Sequence, residues 1–154
     1  VAGGPVELMS RYLRTGAFEV LLTHNRWTLV DRSAGDLLDE AVSLGVAVIH
    51  AAPFGGGLLA AGTGRSRRYA YHEAPPALLE RVRAMEAVCA SYSIALPAAA
   101  LQFSMRDPRI ASTVVGASRP ERVDELLELA GVPIPVAAWS ELEPLAAPPQ
   151  LWQW

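Results

Sequence analysis

The chain has 154 residues, of which 51% are apolar, and a formal net charge of −3 at pH 7. This composition excludes a disordered chain, and the acidic balance gives no support for a nucleic-acid or anionic-membrane surface. The apolar runs are far shorter than the roughly 20 residues of a membrane span. The one cysteine, Cys89, allows no disulfide within the chain, so we expect a reducing, cytoplasmic compartment.

Helix and strand patterns alternate in the first third of the chain. The spacing of apolar residues predicts a helix over 6–15, a strand over 18–23, a helix over 33–44 and a strand over 46–51. Leu8, Tyr12 and Leu13 are expected to share the apolar side of the first helix. Val1 to Pro5 reads as a turn of small residues.

A glycine-rich loop, PFGGGLL, follows the second strand at 53–59, and a polar stretch containing arginines covers 63–76. A long helix is predicted over 77–92, with Leu78, Val82, Met85 and Cys89 along one stripe, and another from Pro97 through Met105. The last segment, 144–154, reads as a proline-rich tail of the same single partial domain.

The stretch STVVGASRPERVDE, from Ser112 to Glu125, has the pattern of a buried strand, a glycine turn and a helix. Ser118 and Glu121 have the spacing of a capping box, and an apolar stripe follows at Val123, Leu126, Leu127 and Ala130. Free amides at a helix start favour anions, and Arg119 and Arg122 add positive charge there. The stretch therefore indicates either an anion site or a well-capped helix with two solvated arginines.

The order of elements predicts an α/β fold with a parallel sheet buried on both faces. An open doubly wound sheet would need a glycine-rich fingerprint after its first strand, and Gly55 to Gly57 lack that spacing. A (β/α)8 barrel is favoured, but the chain is shorter than the roughly 250 residues that a complete barrel needs. We therefore expect half a barrel, in which the two glycine-containing loops form one phosphate site.

The run from Phe18 to Gly131 resembles the C-terminal half of the aldo-keto reductases, which are NAD(P)(H)-dependent (β/α)8 TIM-barrel oxidoreductases. It looks most similar to the threo-aldose (L-fucose) and pyridoxal dehydrogenases. The matching segments are LLTHNRWTLVDRSA, GVAVIHAAPFGGGLLAAG, RRYAYHEAP and RVRAMEAVCASYSIALPAAALQFSMRDPRIASTVVGASRPERVDE.

The resemblance implies a set of cofactor-binding residues. Arg122 matches the arginine that pairs with the 2′-phosphate of NADP, so NADP is the expected cofactor, with NAD not excluded. Glu125 matches an acidic residue near the adenine, Arg119 would add a second cationic contact, and His24 stands where many members orient the nicotinamide amide. The residues that would follow the cofactor pyrophosphate and adenosine phosphate are Phe54, Gly55, Gly56, Gly57, Leu58, Gly116, Ala117 and Ser118.

The resemblance places no catalytic residue in this chain. The Asp, Tyr, Lys and His of the family belong to the first half of the barrel, and all 13 basic residues here are arginines. The chain alone is therefore expected to be inactive. His50 is read as a packed barrel residue rather than a catalyst, Arg65, Arg67 and Arg68 as a solvated charge run, and no metal-ligand spacing is present.

Two functions follow from these patterns. The first is an aldo-keto reductase or aldose-type dehydrogenase that moves hydride between nicotinamide and a carbonyl or hemiacetal carbon of an aldehyde, sugar or pyridoxal. The second is a non-catalytic half-barrel binding module. Either requires a partner, because exposed strand edges must be covered: the missing N-terminal half-barrel or a second copy of the chain. A phosphate-binding barrel isomerase is a third interpretation, against which the long reductase-like segments argue.

Overall fold

The computed structural model describes residues 1–152. Its centre is a four-stranded, all-parallel sheet with the order β1-β2-β3-β6. The strands of this sheet are β1 (Ala2–Gly3), β2 (Val20–His24), β3 (Ala47–Ala51) and β6 (Ile110–Val114). Because the spatial order follows the chain order, the sheet has no point at which the winding reverses. This agrees with part of a (β/α)8 barrel and not with an open doubly wound sheet.

Seven α-helices lie within the described residues. They are α1 (Val6–Leu13), α2 (Gly35–Ser43), α3 (Leu58–Ala61), α4 (Pro76–Ser91), α5 (Leu96–Met105), α6 (Glu121–Gly131) and α7 (Val136–Leu142). Leu21 and Val48 of the sheet pack with apolar side chains of α1 and α2 in one buried cluster. A second, larger cluster joins α3, α4, α5 and α7, and contains Cys89, which is 1% exposed as expected.

Only one face of the sheet is buried. Leu21, Thr23, Val48 and His50 point toward the helices and are all buried, whereas the alternate residues are not. Val20 is 42% exposed on the open face, and the expectation of a sheet buried on both faces is therefore wrong. β6 is also largely exposed, because no further strand of the described chain lies beside it.

The sequence patterns do not predict two short elements. Ala2 and Gly3, read as a turn, form β1 by pairing in parallel with Leu22 and Thr23. The polar stretch 63–76 contains an antiparallel hairpin of β4 (Arg68–Tyr69) and β5 (His72–Glu73). Each strand has two residues, too few for any periodicity to be visible.

The helix after β6 begins later than the capping box predicts. α6 starts at Glu121 with Pro120 as its N-cap, and no side chain caps it. The backbone turn closes instead through N–H bonds from Arg122 to the Arg119 carbonyl and from Val123 to the Pro120 carbonyl. The apolar stripe is also wrong in part, since Leu126 is buried while Val123 is 48% and Leu127 68% exposed.

The first helix turns a different face to the core than expected. Met9 and Leu13 are buried, whereas Leu8 and Tyr12 are 38% and 39% exposed. Leu8 and Tyr12 lie on the helix that follows β1, and the exposed Val123 and Leu127 lie on the helix that follows β6. Each edge strand is thus followed by a helix with exposed apolar side chains.

The described part of the proline-rich tail packs on the second cluster. Its elements are two 3-10 turns, Glu143–Leu145 and Pro149–Leu151. The Ala147 N–H donates to the Val30 carbonyl at 2.9 Å, and the Trp152 indole N–H donates to the Ala147 carbonyl at 2.9 Å. Trp154 lies outside the described residues.

Within residues 1–152, no single helix has the length and apolarity needed to cross a membrane. α4 and α5 pass that test only as a pair, across a 99° bend.

His50 belongs to a buried polar chain on the helix side of the sheet. Its Nδ1 lies 2.7 Å from the Ser104 hydroxyl on α5, and that hydroxyl lies 2.8 Å from the Thr113 hydroxyl on β6. Its Nε2 has no hydrogen-bond partner within the described part of the chain. Burial, with a smaller contribution from His24, lowers the pKa of His50 to about 4. The imidazole is therefore neutral in the folded protein near neutral pH.

This burial predicts a loss of stability in mild acid. An unfolded histidine binds a proton below its ordinary pKa of about 6.5, whereas folded His50 does not until about pH 4. The stability that the neutral His50 imidazole contributes is therefore complete above the pKa of the unfolded state, about 6.5, and is lost as pH falls toward the pKa of the folded state, about 4. Between about pH 7 and pH 5 the free energy of unfolding should fall by about 2 kcal/mol more than in a His50→Gln variant. Urea unfolding at each pH measures the free energy of unfolding. An equal change with pH in the two proteins would contradict the prediction.

Candidate functional site

The carboxyl ends of β2, β3 and β6 meet at one edge of the sheet, since the three strands are parallel neighbours. The chain leaves the first two through residues in the left-handed conformation, Asn25 at φ 58° and Ala52 at φ 57°. The Asn25 N–H donates to the Ala51 carbonyl and the Ala52 N–H to the Val114 carbonyl, each at 3.2 Å. These bonds continue the strand pairing and bring the three outgoing loops side by side.

The loop after β3 turns through three successive left-handed glycines, with φ 59° at Gly55, 71° at Gly56 and 115° at Gly57. A Cβ on Gly55 would lie 2.0 Å from the Tyr69 ring, and one on Gly56 would lie 3.1 Å from the Ala70 nitrogen. A Cβ on Gly57 would meet nothing within 4 Å. Gly55 and Gly56 therefore leave room for the neighbouring hairpin, whereas at Gly57 the space that a Cβ would fill is open.

Tyr69 fixes the relative positions of three loops. Its ring is 1% exposed and packs on Gly55, and its hydroxyl lies 2.7 Å from the Thr28 hydroxyl and donates to the Asn25 carbonyl at 3.3 Å. Burial raises the pKa of Tyr69 far above its ordinary value, so the phenol stays neutral. From the sequence alone, this residue lies in the polar stretch 63–76, and the pair Tyr69 and Tyr71 beside the arginines was the available signal.

The hairpin tip holds an exposed tyrosine over the same edge. Ala70 and Tyr71 both have positive φ, 46° and 74°, which is the backbone of a type I′ turn usually made by Asn-Gly. Tyr71 is 67% exposed, and its ring meets the His24 ring edge-on at 6.5 Å. His24 also lies against Gly4, whose added Cβ would be 3.3 Å from the imidazole.

Two arginines that follow β6, Arg119 in the loop and Arg122 in the first turn of α6, share one carboxylate. Arg119 contacts Glu125 at 3.0 Å and Arg122 contacts it at 2.6 Å. The hydrogen bond from Arg122 is the largest effect that lowers the pKa of Glu125, followed in the same direction by that from Arg119. Glu125 therefore orients both guanidinium groups and leaves the trio with a net positive charge.

Comparison with known proteins assigns the family. The model of the aldo/keto reductase family matches residues 1–147. The chain belongs to this family. It is 31% identical over 138 residues to a D-threo-aldose 1-dehydrogenase from a Pseudomonas species, and 30% identical over 122 residues to a pyridoxal 4-dehydrogenase from Microbacterium luteolum. The predicted resemblance to threo-aldose and pyridoxal dehydrogenases is thus confirmed.

The match covers much of this chain but only part of each relative. The two alignments span 88% and 79% of this chain, against 42% and 36% of the relatives. An aldo-keto reductase from Bacillus halodurans, solved in a holo form, superposes with a TM-score of 0.73 at 16% identity. That superposition covers 99% of this chain and 52% of the other, which confirms the fold as part of an aldo-keto reductase barrel.

The fold brings together most of the residues that the resemblance to aldo-keto reductases singled out. His24, the glycine turn and the loop 116–118 leave neighbouring strands at one edge, and Gly116, Ala117 and Ser118 are all exposed there. Leu58, by contrast, is fully buried, and Phe54 packs against the second cluster, so both contribute to the core. The N–H groups of Gly55 and Gly57 donate to the Ala52 and Phe54 carbonyls within the turn.

Other candidate residues belong to the stretch that contains the hairpin and to the loop after β2. Arg65, Arg67 and Arg68 are exposed, with Arg67 3.7 Å from Glu73 and Arg68 donating to the Tyr71 carbonyl. Trp27 turns away from the edge and packs on Phe103. In the part of the chain that the structure describes, no three His, Cys, Asp or Glu side chains form a group that would hold a metal ion.

The contact between Gly55 and Tyr69 predicts a large effect of one methyl group. Gly55→Ala should lower the free energy of unfolding by about 2–4 kcal/mol, because strain from a positive φ adds to a clash with a ring that cannot move. Gly45→Ala is the matched control, since Gly45 has φ 70° with nothing within 4 Å, and it should lose only about 1 kcal/mol. Chemical denaturation of both variants measures the difference, and equal losses would disprove the packing role of Gly55.

Proposed function

We propose that this chain forms the cofactor-phosphate side of an aldo-keto reductase that uses NADP(H) and acts on an aldehyde, a sugar or pyridoxal. One observation carries the proposal: the glycine turn after β3 and the Arg119–Arg122–Glu125 trio after β6 leave adjacent strands at the same edge of the sheet. The names of the two relatives, a threo-aldose and a pyridoxal dehydrogenase, support the substrate classes. The single buried cysteine agrees with a cytoplasmic location.

The residues present fit a phosphorylated adenosine. Two guanidinium groups share a single carboxylate, so a phosphate would find N–H donors without displacing a full set of ion pairs. Gly116 and Gly57 both have open space where a Cβ would stand, which lets a phosphate approach the backbone. A 2′-phosphate needs added positive charge of this kind, which favours NADP over NAD.

When bound, the cofactor supplies or accepts the hydride. The residues of this chain would bind and orient it: Arg122 and Arg119 at the 2′-phosphate, Gly116 to Ser118 at the adenosine phosphate, and His24 at the nicotinamide amide. Glu125 holds the two arginines in place. We assign the catalytic Asp, Tyr, Lys and His to the N-terminal half of the barrel, and propose that this chain alone does not turn over substrate.

The open face of the sheet supports a missing N-terminal half-barrel as the partner. The chain spans about half the length of its relatives, consistent with four strands of an eight-stranded barrel. Val20 and Val114 on that face, and Leu8 and Leu127 on the helices that follow the two edge strands, are apolar and exposed. A complementary half would cover these surfaces together.

A second candidate is a non-catalytic half-barrel that pairs with another copy of itself. The absence of lysine from the sequence favours it, because the chain cannot supply the lysine of the family mechanism. Such a protein would keep the phosphate-binding edge without the reaction.

Arg122→Gln should weaken binding of 2′,5′-ADP about tenfold to a hundredfold, because a charge-assisted hydrogen bond of roughly 1.5–3 kcal/mol is lost. Binding of 5′-AMP, which has no 2′-phosphate, should change little. Isothermal titration of both nucleotides measures the two affinities.

Arg83→Gln is the control, because Arg83 is exposed on α4 and the substitution removes the same charge. An equal loss for both nucleotides in Arg122→Gln, or no loss for 2′,5′-ADP, would contradict the proposed 2′-phosphate contact.

The partner proposal predicts a specific complex. The first half of a related threo-aldose dehydrogenase barrel, mixed with this chain, should form a one-to-one heterodimer, because it buries the open face and both edge strands. Native mass spectrometry detects it, with Val20→Asp/Val114→Asp as the variant that should prevent assembly.

A dimer of this chain alone that persists in the presence of the N-terminal half would instead favour the second candidate. NADPH turnover that appears only in the mixture would exclude it.

A further inference from the structure

A cleft of about 450 Å³ lies among the helices and shares no lining residue with the glycine turn or with Arg119, Arg122 and Glu125. Its walls come from the loop after β2, the end of α5 and the turn after α7. The side chains that matter are Trp27, Arg32, Phe103, Arg106, Pro108 and Glu143. A cleft of this size suits a small organic molecule.

Aromatic rings stack on the guanidinium groups of two arginines at the cleft, Arg32 and Arg106. Arg32 lies 3.6 Å from the centre of the Phe103 ring and 5.5 Å from that of Trp27. Arg106 stacks at 4.4 Å on Trp139. Stacking leaves the in-plane N–H groups of each arginine free to point elsewhere.

The cations of this cleft are unequally neutralised. Arg109 is saturated: it contacts both Asp107 oxygens, at 3.0 and 2.7 Å, and also Asp39 at 2.7 Å. Arg106 has one carboxylate contact, with Glu143 at 2.6 Å.

Arg32 has no carboxylate within ion-pair distance in residues 1–152. Its one side-chain hydrogen bond to a described residue goes to the Thr28 carbonyl at 2.7 Å. Burial lowers the pKa of Arg32 to about 10, and the charge of Glu143 opposes that shift most strongly. Arg32 therefore presents to the cleft a partly buried, charged guanidinium group with unused N–H donors.

We propose that this cleft binds a small organic carboxylate. The carboxylate group accepts hydrogen bonds from Arg32 and Arg106, and the apolar body of the molecule lies against Trp27 and Pro108. Glu143 competes with the ligand for Arg106, since it uses the same N–H groups. The site is separate from the proposed cofactor edge and does not depend on it.

The test uses benzoate as the probe and benzamide as its neutral isostere. Benzoate should shift the indole N–H resonance of Trp27 saturably in ¹H–¹⁵N spectra, with the resonance assigned through Trp27→Phe. Benzamide should bind at least about tenfold more weakly, because it offers no charge to the arginines. Equal binding of the two probes, or no saturable shift with benzoate, would overturn the proposal.

Four variants separate an anion site from purely structural stacking. Arg32→Gln should weaken benzoate at least about tenfold, while Arg83→Gln, with the same charge change on α4, should not. Glu143→Gln should tighten benzoate roughly threefold or more, and Arg106→Gln should weaken it, because the first removes a competitor and the second a donor.

The opposite signs of Glu143→Gln and Arg106→Gln decide the matter even when Arg32→Gln does not fold. Equal affinities in Arg32→Gln and Arg83→Gln, or a weaker affinity in Glu143→Gln, would show that these arginines only pack on the aromatic rings.

Discussion

The packing of the Tyr69 ring on Gly55 is the contact on which the carboxyl edge of the sheet depends. The ring fills the space that a Cβ on Gly55 would need, and its hydroxyl is tied to the Thr28 hydroxyl and the Asn25 carbonyl. One side chain thereby connects the loop after β2, the glycine turn after β3 and the hairpin. The two positive φ angles at Ala70 and Tyr71 are unfavourable for residues with a Cβ, and the buried Tyr69 offsets that cost. The same ring positions the hairpin tip, and with it Tyr71, beside His24 at the end of β2.

The parts of the fold that the sequence predicts are those whose apolar residues repeat at a regular spacing within one helix or strand. α4 shows its stripe of Leu78, Val82, Met85 and Cys89 because four turns of helix repeat the same spacing. β2 and β3 are long enough for an apolar run to be visible. β1, with two residues, is a strand only because Leu22 and Thr23 pair with it, and the hairpin persists because of a contact between residues 14 positions apart in the chain, Gly55 and Tyr69. Such long-range contacts produce no periodic pattern in the sequence.

At the candidate site, too, part of the arrangement follows from sequence patterns and part depends on contacts that these patterns do not show. That the glycine turn and the Arg119–Arg122 stretch lie side by side follows from β3 and β6 being parallel neighbours, and the order of elements was sufficient to predict it. The start of α6 was not predictable in the same way. Ser118 and Glu121 have the spacing of a capping box, yet Pro120 adopts helical angles as the N-cap and the turn closes through backbone bonds. The apolar stripe fails for Val123 and Leu127 because no other part of the described chain packs on that side of α6.

A chain of net charge −3 whose cations are all arginines must create anion affinity locally, by leaving guanidinium groups incompletely paired. Two places leave guanidinium groups incompletely paired, by different means. At the sheet edge Arg119 and Arg122 divide one exposed carboxylate, so their excess charge faces solvent and salt should screen it. In the helix-side cleft Arg32 is partly buried between aromatic rings, with no carboxylate within ion-pair distance in residues 1–152, so screening there is weaker. The first arrangement suits a polyanionic phosphate that arrives from solution, and the second suits a single charge carried on an apolar body. Added salt should therefore weaken anion binding at the edge more than at the cleft, because the more exposed charges are screened more strongly.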